Sequence, residues 1–385
     1  LQVGDGGATG EISGDVVTSM GAVLAFKRRD GITFAGAVSG GGGLGQSGVG
    51  TTTLTGNSTY TGGTSVTAGT LQLGDGGITG SIVGDVSTSA GATLAFNRSD
   101  ATRFGGGVSG AGALAQVGTG TTILTGNSTH TGGTTVAAGV LQLGDGGTSG
   151  AIAGDVGTAA GATLAFNRSD VLVFGGVVSG FGALRQAGTG TTVLAANSTY
   201  GGGTVVAAGT LELGNGGGSG WVMGNIVDNG AVAFNRSDAV TFSAVIDGTG
   251  RVIQKGPGTT TLTGTNTYAG GTTVAAGTLQ LGDGGHSGSI LGDVATAAGA
   301  TLAFNRNTIV FDGAVSGGGS LAQLAGTTIL TAASTYTGGT TIAAGTLQLG
   351  NGGTSGSIAG PTPRPSAAPC PAAARCCRPG LVPRS

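Results

Sequence analysis

GTLQLGDGG (residues 69–77) returns as GVLQLGDGG (139–147), GTLELGNGG (209–217), GTLQLGDGG (277–285) and GTLQLGNGG (345–353), and LQVGDGG opens the chain at Leu1. Counted from the leucine, the copies begin at Leu1, Leu71, Leu141, Leu211, Leu279 and Leu347, a near-constant interval. One module copied at a fixed period with almost no insertion marks a stacked-repeat architecture, in which each unit buries its apolar side only against its neighbours.

Inside a module the strand grammar is short. AGTLQL (68–73), AGATLAF (90–96) and GAGALAQ (110–116) are Gly-led runs of alternating apolar residues, the two-residue period of a half-buried strand. Leu71, Leu94 and Leu114 then begin successive turns of about 20 to 27 residues, the length of one β-helix rung. Thr, Val and Ile fill the strands, while GDGG, NRSD, GTG and TGG fill the gaps with residues that tolerate positive φ or hydrogen-bond their own backbone. No stretch combines a 3.6-residue pattern with helix caps. The expected fold is all β: a parallel solenoid of about fifteen rungs, three per 68–70-residue repeat, forming a rod roughly 70 Å long. Ten of the eleven phenylalanines fall in two columns, one through Phe96 and Phe166 and one through Phe104 and Phe174, and both are expected to face the core.

The chain divides at Gly360. Seven of the eight prolines and all three cysteines follow it, in a tail whose ending LVPRS looks like a protease-site remnant of an expression vector. Residues 1–360 are therefore the expected β-helical body and 361–385 an unfolded appendage. Gly is 88 of 385 residues, which without periodicity would suggest disorder, but 38% of the chain is hydrophobic and only 8% charged. The body carries 11 basic against 17 acidic residues and no basic stripe, so nucleic acid is not an expected partner. Because both ends fall inside repeats, the chain reads as part of something longer.

Chemistry-bearing residues recur with the module. The columns Asp15, Asp85, Asp155, Asp293 and Asp30, Asp100, Asp170, Asp238 would build a near-identical active site in almost every repeat, which favours turn-capping or ion-pairing roles over catalysis. In NRSD, Arg98, Arg168 and Arg236 precede an Asp by two residues, as expected of a surface ion pair; an anion or glycan contact is the alternative. GDGG places its Asp once per module, too sparsely for a calcium-binding nonapeptide array. His130 and His286 stand alone, the first replacing a tyrosine found at Tyr60, Tyr200, Tyr268 and Tyr336, so no metal cluster or Ser-His-Asp triad assembles. The sequence nominates no catalytic, cofactor-binding or metal-ligating residue, and no enzyme is expected. Thr-rich strands such as TTTLTG (51–56) are too sparse for an ice-binding array and reflect β-propensity.

The stretch GTGRVIQKGPGTTTLTGTNTYAGGTTVAAGTLQLG (248–282) resembles the passenger-associated β-strand repeat of bacterial autotransporters. About thirty-five residues of each module share it. That resemblance implies a right-handed parallel β-helix displayed outside a Gram-negative cell after export through an outer-membrane β-barrel, which belongs to the parent protein and not to this sequence. Cysteine-free repeats agree with such export. Some families of this type carry serine-protease passengers, yet no GDSGS nucleophile motif occurs here. The expected role is a cell-surface stalk or adhesin segment, with host-cell or matrix ligands or self-association as its partners. Two alternatives are repeats that serve only export and folding, and a polysaccharide-acting β-helix enzyme.

Overall fold

The computed structural model describes residues 1–353 and 356–359, so the tail expected at 361–385 lies outside the described residues. Among the described residues, strands follow one another with no helix between them. Every strand pairing among the described residues is parallel, and each strand lies on one a full turn earlier. The chain is a parallel β-solenoid, as expected.

One turn shows how the sequence builds the coil. Thr93–Phe96, Ala101–Phe104 and Val108–Gly110 form three sides, and Ala113–Gln116 then lies on Thr93–Phe96 with Leu114 over Leu94. Alternation sends Leu94, Phe96, Phe104, Val108 and Leu114 inward, all buried, while Gly- and Asp-containing corners change the direction of the chain. Phe96 meets Phe104 around a corner with ring centroids 5.3 Å apart and planes at 61°, an edge-to-face contact that recurs at Phe166–Phe174 and Phe234–Phe242. Both phenylalanine columns face the core.

Register sets the number of turns. One ladder climbs from Ile32 through Thr52, Leu71, Leu94, Leu114, Thr134 and Val156 to Val178, one coil at each step. A coil of this pitch takes roughly 21 residues, which lies within the ordinary span of a β-solenoid rung. Each module therefore occupies about three and a third turns, not three, and the whole chain makes about eighteen. By sequence pattern each module closes at its third Leu-led strand. In the fold Thr134, not Leu141, stacks on Leu114, and Leu141 stacks instead on Thr122.

That extra third of a turn moves each module on by one face. Thr70–Leu73, Val140–Leu143 and Thr210–Leu213 are the same phrase, yet they belong to three different ladders. The next copy, Thr278–Leu281, lies on the continuation of the first ladder, which reaches it through Val178 and Ser198 and the Asn197–Trp221 bridge. At ~4.8 Å per coil, equivalent residues climb about 16 Å and step a third of the way round the axis, and the rod is roughly 85 Å long.

Close coil contact makes some glycines obligatory. A Cβ on Gly106 would sit 1.9 Å from the Gly84 carbonyl oxygen one coil below, whereas a Cβ on Gly157 would meet nothing within 4 Å. Gly106→Ala is expected to cost at least about 2 kcal/mol. Gly157→Ala should be neutral or add about 0.5 kcal/mol by restricting the unfolded chain. Thermal unfolding of the two variants beside the parent checks this; equal melting temperatures would contradict the coil spacing.

Candidate interaction surface and its buried supports

Many outward positions carry short side chains, and shallow troughs lie on the faces. One of about 360 Å³ runs over Gly45, Ser65, Ser87 and Ser109. Another, of about 530 Å³, lies along Gln142, Ala165, Ala183, Arg185 and Val205. Strands give these faces their flatness, since successive outward residues on stacked coils stand directly above one another.

The aspartate columns hold coils together. Asp15, Asp85, Asp155 and Asp293 each accept the backbone N–H of a residue one coil later, at Ala37, Gly107, Val177 and Ala314, all at 2.8 Å. Asn225 does the same for Val245 at 3.0 Å where the fourth module lacks the Asp. Asp30, Asp100, Asp170 and Asp238 have a different role, as the carboxylate partners of Arg28 and the NRSD arginines.

These arginines are not surface groups, contrary to the expectation from sequence. Arg168 is 8% exposed. Its Nε and Nη2 donate to both Asp170 oxygens at 2.8 and 2.6 Å, and its Nη groups reach back to the carbonyls of Thr148 and Gly150 at 2.5 and 3.2 Å. The guanidinium thus pins the GDGGTSG loop (144–150) of one coil under the NRSD turn of the next. Hydrogen bonding to the arginine holds the Asp170 carboxyl below its ordinary value. A group so occupied cannot serve as an anion site. The signal in the sequence is the constant offset between the two motifs, close to one coil.

The buried glutamines are not legible in the sequence, because a Gln two places after a core Leu reads as a strand end. Gln46, Gln116, Gln186, Gln254 and Gln323 are all buried, each Nε2 donating to carbonyls of the following corner; in Gln46 and Gln186 the Oε1 also accepts from Thr52 and Thr192 at 2.6 Å. Those threonines face inward, so the Thr-rich strands present only alternate hydroxyls to water. His130 is buried in the tyrosine column and bonds Thr134 Oγ1 through Nε2 at 2.9 Å, as Tyr60 bonds Thr64 at 2.6 Å. Burial lowers the pKa of His130, and its Nδ1 has no partner. His286 lies elsewhere, at the surface, against Asn307. Among the described residues, no three His, Cys, Asp or Glu gather as a metal-ligand group.

A family model described as the passenger-associated-transport-repeat matches residues 44–73, 114–143, 184–213, 252–281 and 325–349. Over 156 residues, 36% of this chain, the sequence is 32% identical to the adhesin BmaC autotransporter of Brucella suis biovar 1 (strain 1330). The chain carries autotransporter passenger repeats. It spans 5% of the length of that relative, and no solved structure matches it. Each matched repeat starts on one face and ends on the next: residues 114–143 run from Leu114, stacked on Leu94, to Leu143, stacked on Leu124 and Phe166. The passenger repeat is thus also the device that rotates the module.

Two supports yield tests. His130→Tyr replaces an imidazole with an unpartnered nitrogen by the residue of the equivalent positions, and should stabilise the rod by about 1 kcal/mol, read as a higher melting temperature. Asp228 is buried where other modules have Thr88 or Thr158, and its Oδ2 has no partner. Burial pushes its carboxyl up from 3.8 to about 6. The folded chain then keeps a proton that the unfolded chain releases, so stability falls as pH rises from about 4 to about 6, and the loss is complete above that. Asp228→Asn should raise the melting temperature at pH 7.5, by an amount corresponding to about 1 kcal/mol once screening by nearby solvent is allowed for, and change little at pH 4. A pH-independent effect would contradict this.

Proposed function

We propose that this passenger segment is a non-enzymatic, surface-displayed adhesive stalk, exported across the outer membrane as part of a longer chain and anchored there by a barrel that the parent protein supplies. The observation carrying this reading is the combination of adhesin-like repeats with a rod in which the Asp85 column and the paired NRSD arginines and aspartates are committed to holding coils and corners together. Asp85 accepts from the next coil, and Arg98 binds Asp100 beside it and the Ile78 carbonyl of the coil before, which leaves plain outward surfaces for contact.

The screw geometry says how such contact would be made. A patch common to all modules is offered in three directions in succession and returns to the same face only every third module, about ten coils or ~48 Å on. Weak contacts repeated at that spacing gain avidity against an extended matrix or a second rod. Folding rung by rung on an existing coil also suits export, since each rung needs only its neighbour.

Beads coated with the chain should adhere to host cells or to each other. Deleting residues 71–140 should preserve the fold, because Thr70 and Val140 precede equivalent leucines, but turn everything beyond by one face. Adhesion through module-wide patches survives that deletion with at most a few-fold loss. Beads that neither bind cells nor aggregate would leave a pure spacer and sink the adhesive reading.

A further inference from the structure

One module departs from the others at a surface position. Where the other copies have Glu11, Ser81, Ala151, Ser289 and Ser357, the fourth has Trp221, the single tryptophan of the chain. Two residues on, Met223 is 52% exposed. Trp221 is half-buried, with its ring edge-to-face on Phe242, centroids 5.2 Å apart and planes at 72°. It floors an open hollow of about 430 Å³ that also involves Met223, Val240, Asn197, Thr199 and Thr241.

The backbone beneath is fixed. Asn197 and Trp221 form a parallel bridge, the Trp221 carbonyl accepts the Ser198 N–H at 2.8 Å, and Asn197 Oδ1 accepts the Gly220 N–H at 3.0 Å. Asn197 therefore keeps its amide nitrogen as a donor beside the ring. Thr199 and Thr241 are exposed on the rim. The one charge at the hollow, Arg236, is already bound by Asp238 through Nε and Nη2 at 2.9 and 2.7 Å.

We infer that this hollow is a binding site for a neutral sugar unit of a surface glycan. A pyranose has a face of C–H groups and a rim of hydroxyls, and the hollow has the matching arrangement: an indole, a thioether and a valine below, an amide and two hydroxyls around. Its size suits one or two sugar units. Neutralised Arg236 offers nothing to a carboxylate or sulfate, which excludes an acidic sugar as the preferred ligand. The polar rim disfavours an acyl chain or an apolar helix, whose flanks would leave those groups unpaired. This deepens the adhesive reading by naming a ligand class, and the two fail separately: a rod that adheres through another surface keeps adhering when Trp221 is replaced.

The lone tryptophan is its own reporter. Emission of the full chain is titrated with neutral trisaccharides of glucose, galactose, mannose and N-acetylglucosamine, with trigalacturonate, and with a short-chain phosphatidylcholine micelle. At least one neutral trisaccharide should give a saturable shift, with a dissociation constant on the order of 1 mM for so open a site. Trp221→Ser, the residue of three sibling modules, should fold with an unchanged circular dichroism spectrum and lose at least about tenfold in affinity by calorimetry. Flat titrations with all four neutral sugars, a shift with trigalacturonate or micelles only, or full affinity in Trp221→Ser would each overturn the inference.

Discussion

The main-chain ladder between consecutive coils is the constraint on which everything else depends. A coil has no stable fold alone, since three strands of three or four residues bury their Leu, Val and Phe only when another coil closes over them. Parallel stacking in turn demands that each turn bring like faces into register. Turns of unequal length all meet that demand because the variation is absorbed at the corners, where Gly, Asp and Asn accept longer or shorter loops while the strand positions stay fixed. The fourth module, two residues shorter than the first three, illustrates it: its loop shortens at Asp228, whose Oδ1 accepts the Gly230 N–H at 2.9 Å, and Val232 still stacks on Leu211.

Polar groups inside such a rod are tolerated because most are bound within their own coil or by the coil above or below. Arg168 satisfies two carbonyls and one carboxylate, Gln186 two carbonyls and a hydroxyl, and Tyr200 the hydroxyl of Thr204 at 2.7 Å. Buried polar groups without partners are costly, so a network repeated down the axis specifies register as well as strengthening it. Departures from the repeat cluster in the fourth module, among them Glu212, Trp221 and Asp228. Glu212 stands where other modules have Gln and is met by Lys255 Nζ at 2.7 Å and Asn235 Nδ2 at 2.6 Å. Trp221 instead packs edge-to-face on Phe242, a member of the recurrent phenylalanine column.

A period of about three and a third turns changes what a repeated surface can do. With three whole turns per module, identical patches would line one face as a ladder. With the extra third, the same residues wind round the axis as a three-start display, and no face is favoured. A feature confined to a single module, such as the Trp221 hollow, is then presented in a single direction. The common surface suits contact in any orientation, while the exceptional one suits a particular ligand.

Much of this was legible from residues alone. The recurrence of LQLGDGG declared a stacked repeat; the alternation in TLAF and ALAQ declared strands with Leu94, Phe96 and Leu114 inside; and runs too short for crossover helices left a parallel coil. These follow from local chemistry, in which side-chain period and turn residues act over a few positions. What only the tertiary structure decided is which strand lies on which. Thr134 and Leu141 are both acceptable partners for Leu114 by pattern, and the choice depends on corner lengths summed around a closed turn, a property no single strand carries. The burial of Arg168 and the hollow beside Trp221 follow from that choice, because each is made by residues a full coil apart that only the register brings together.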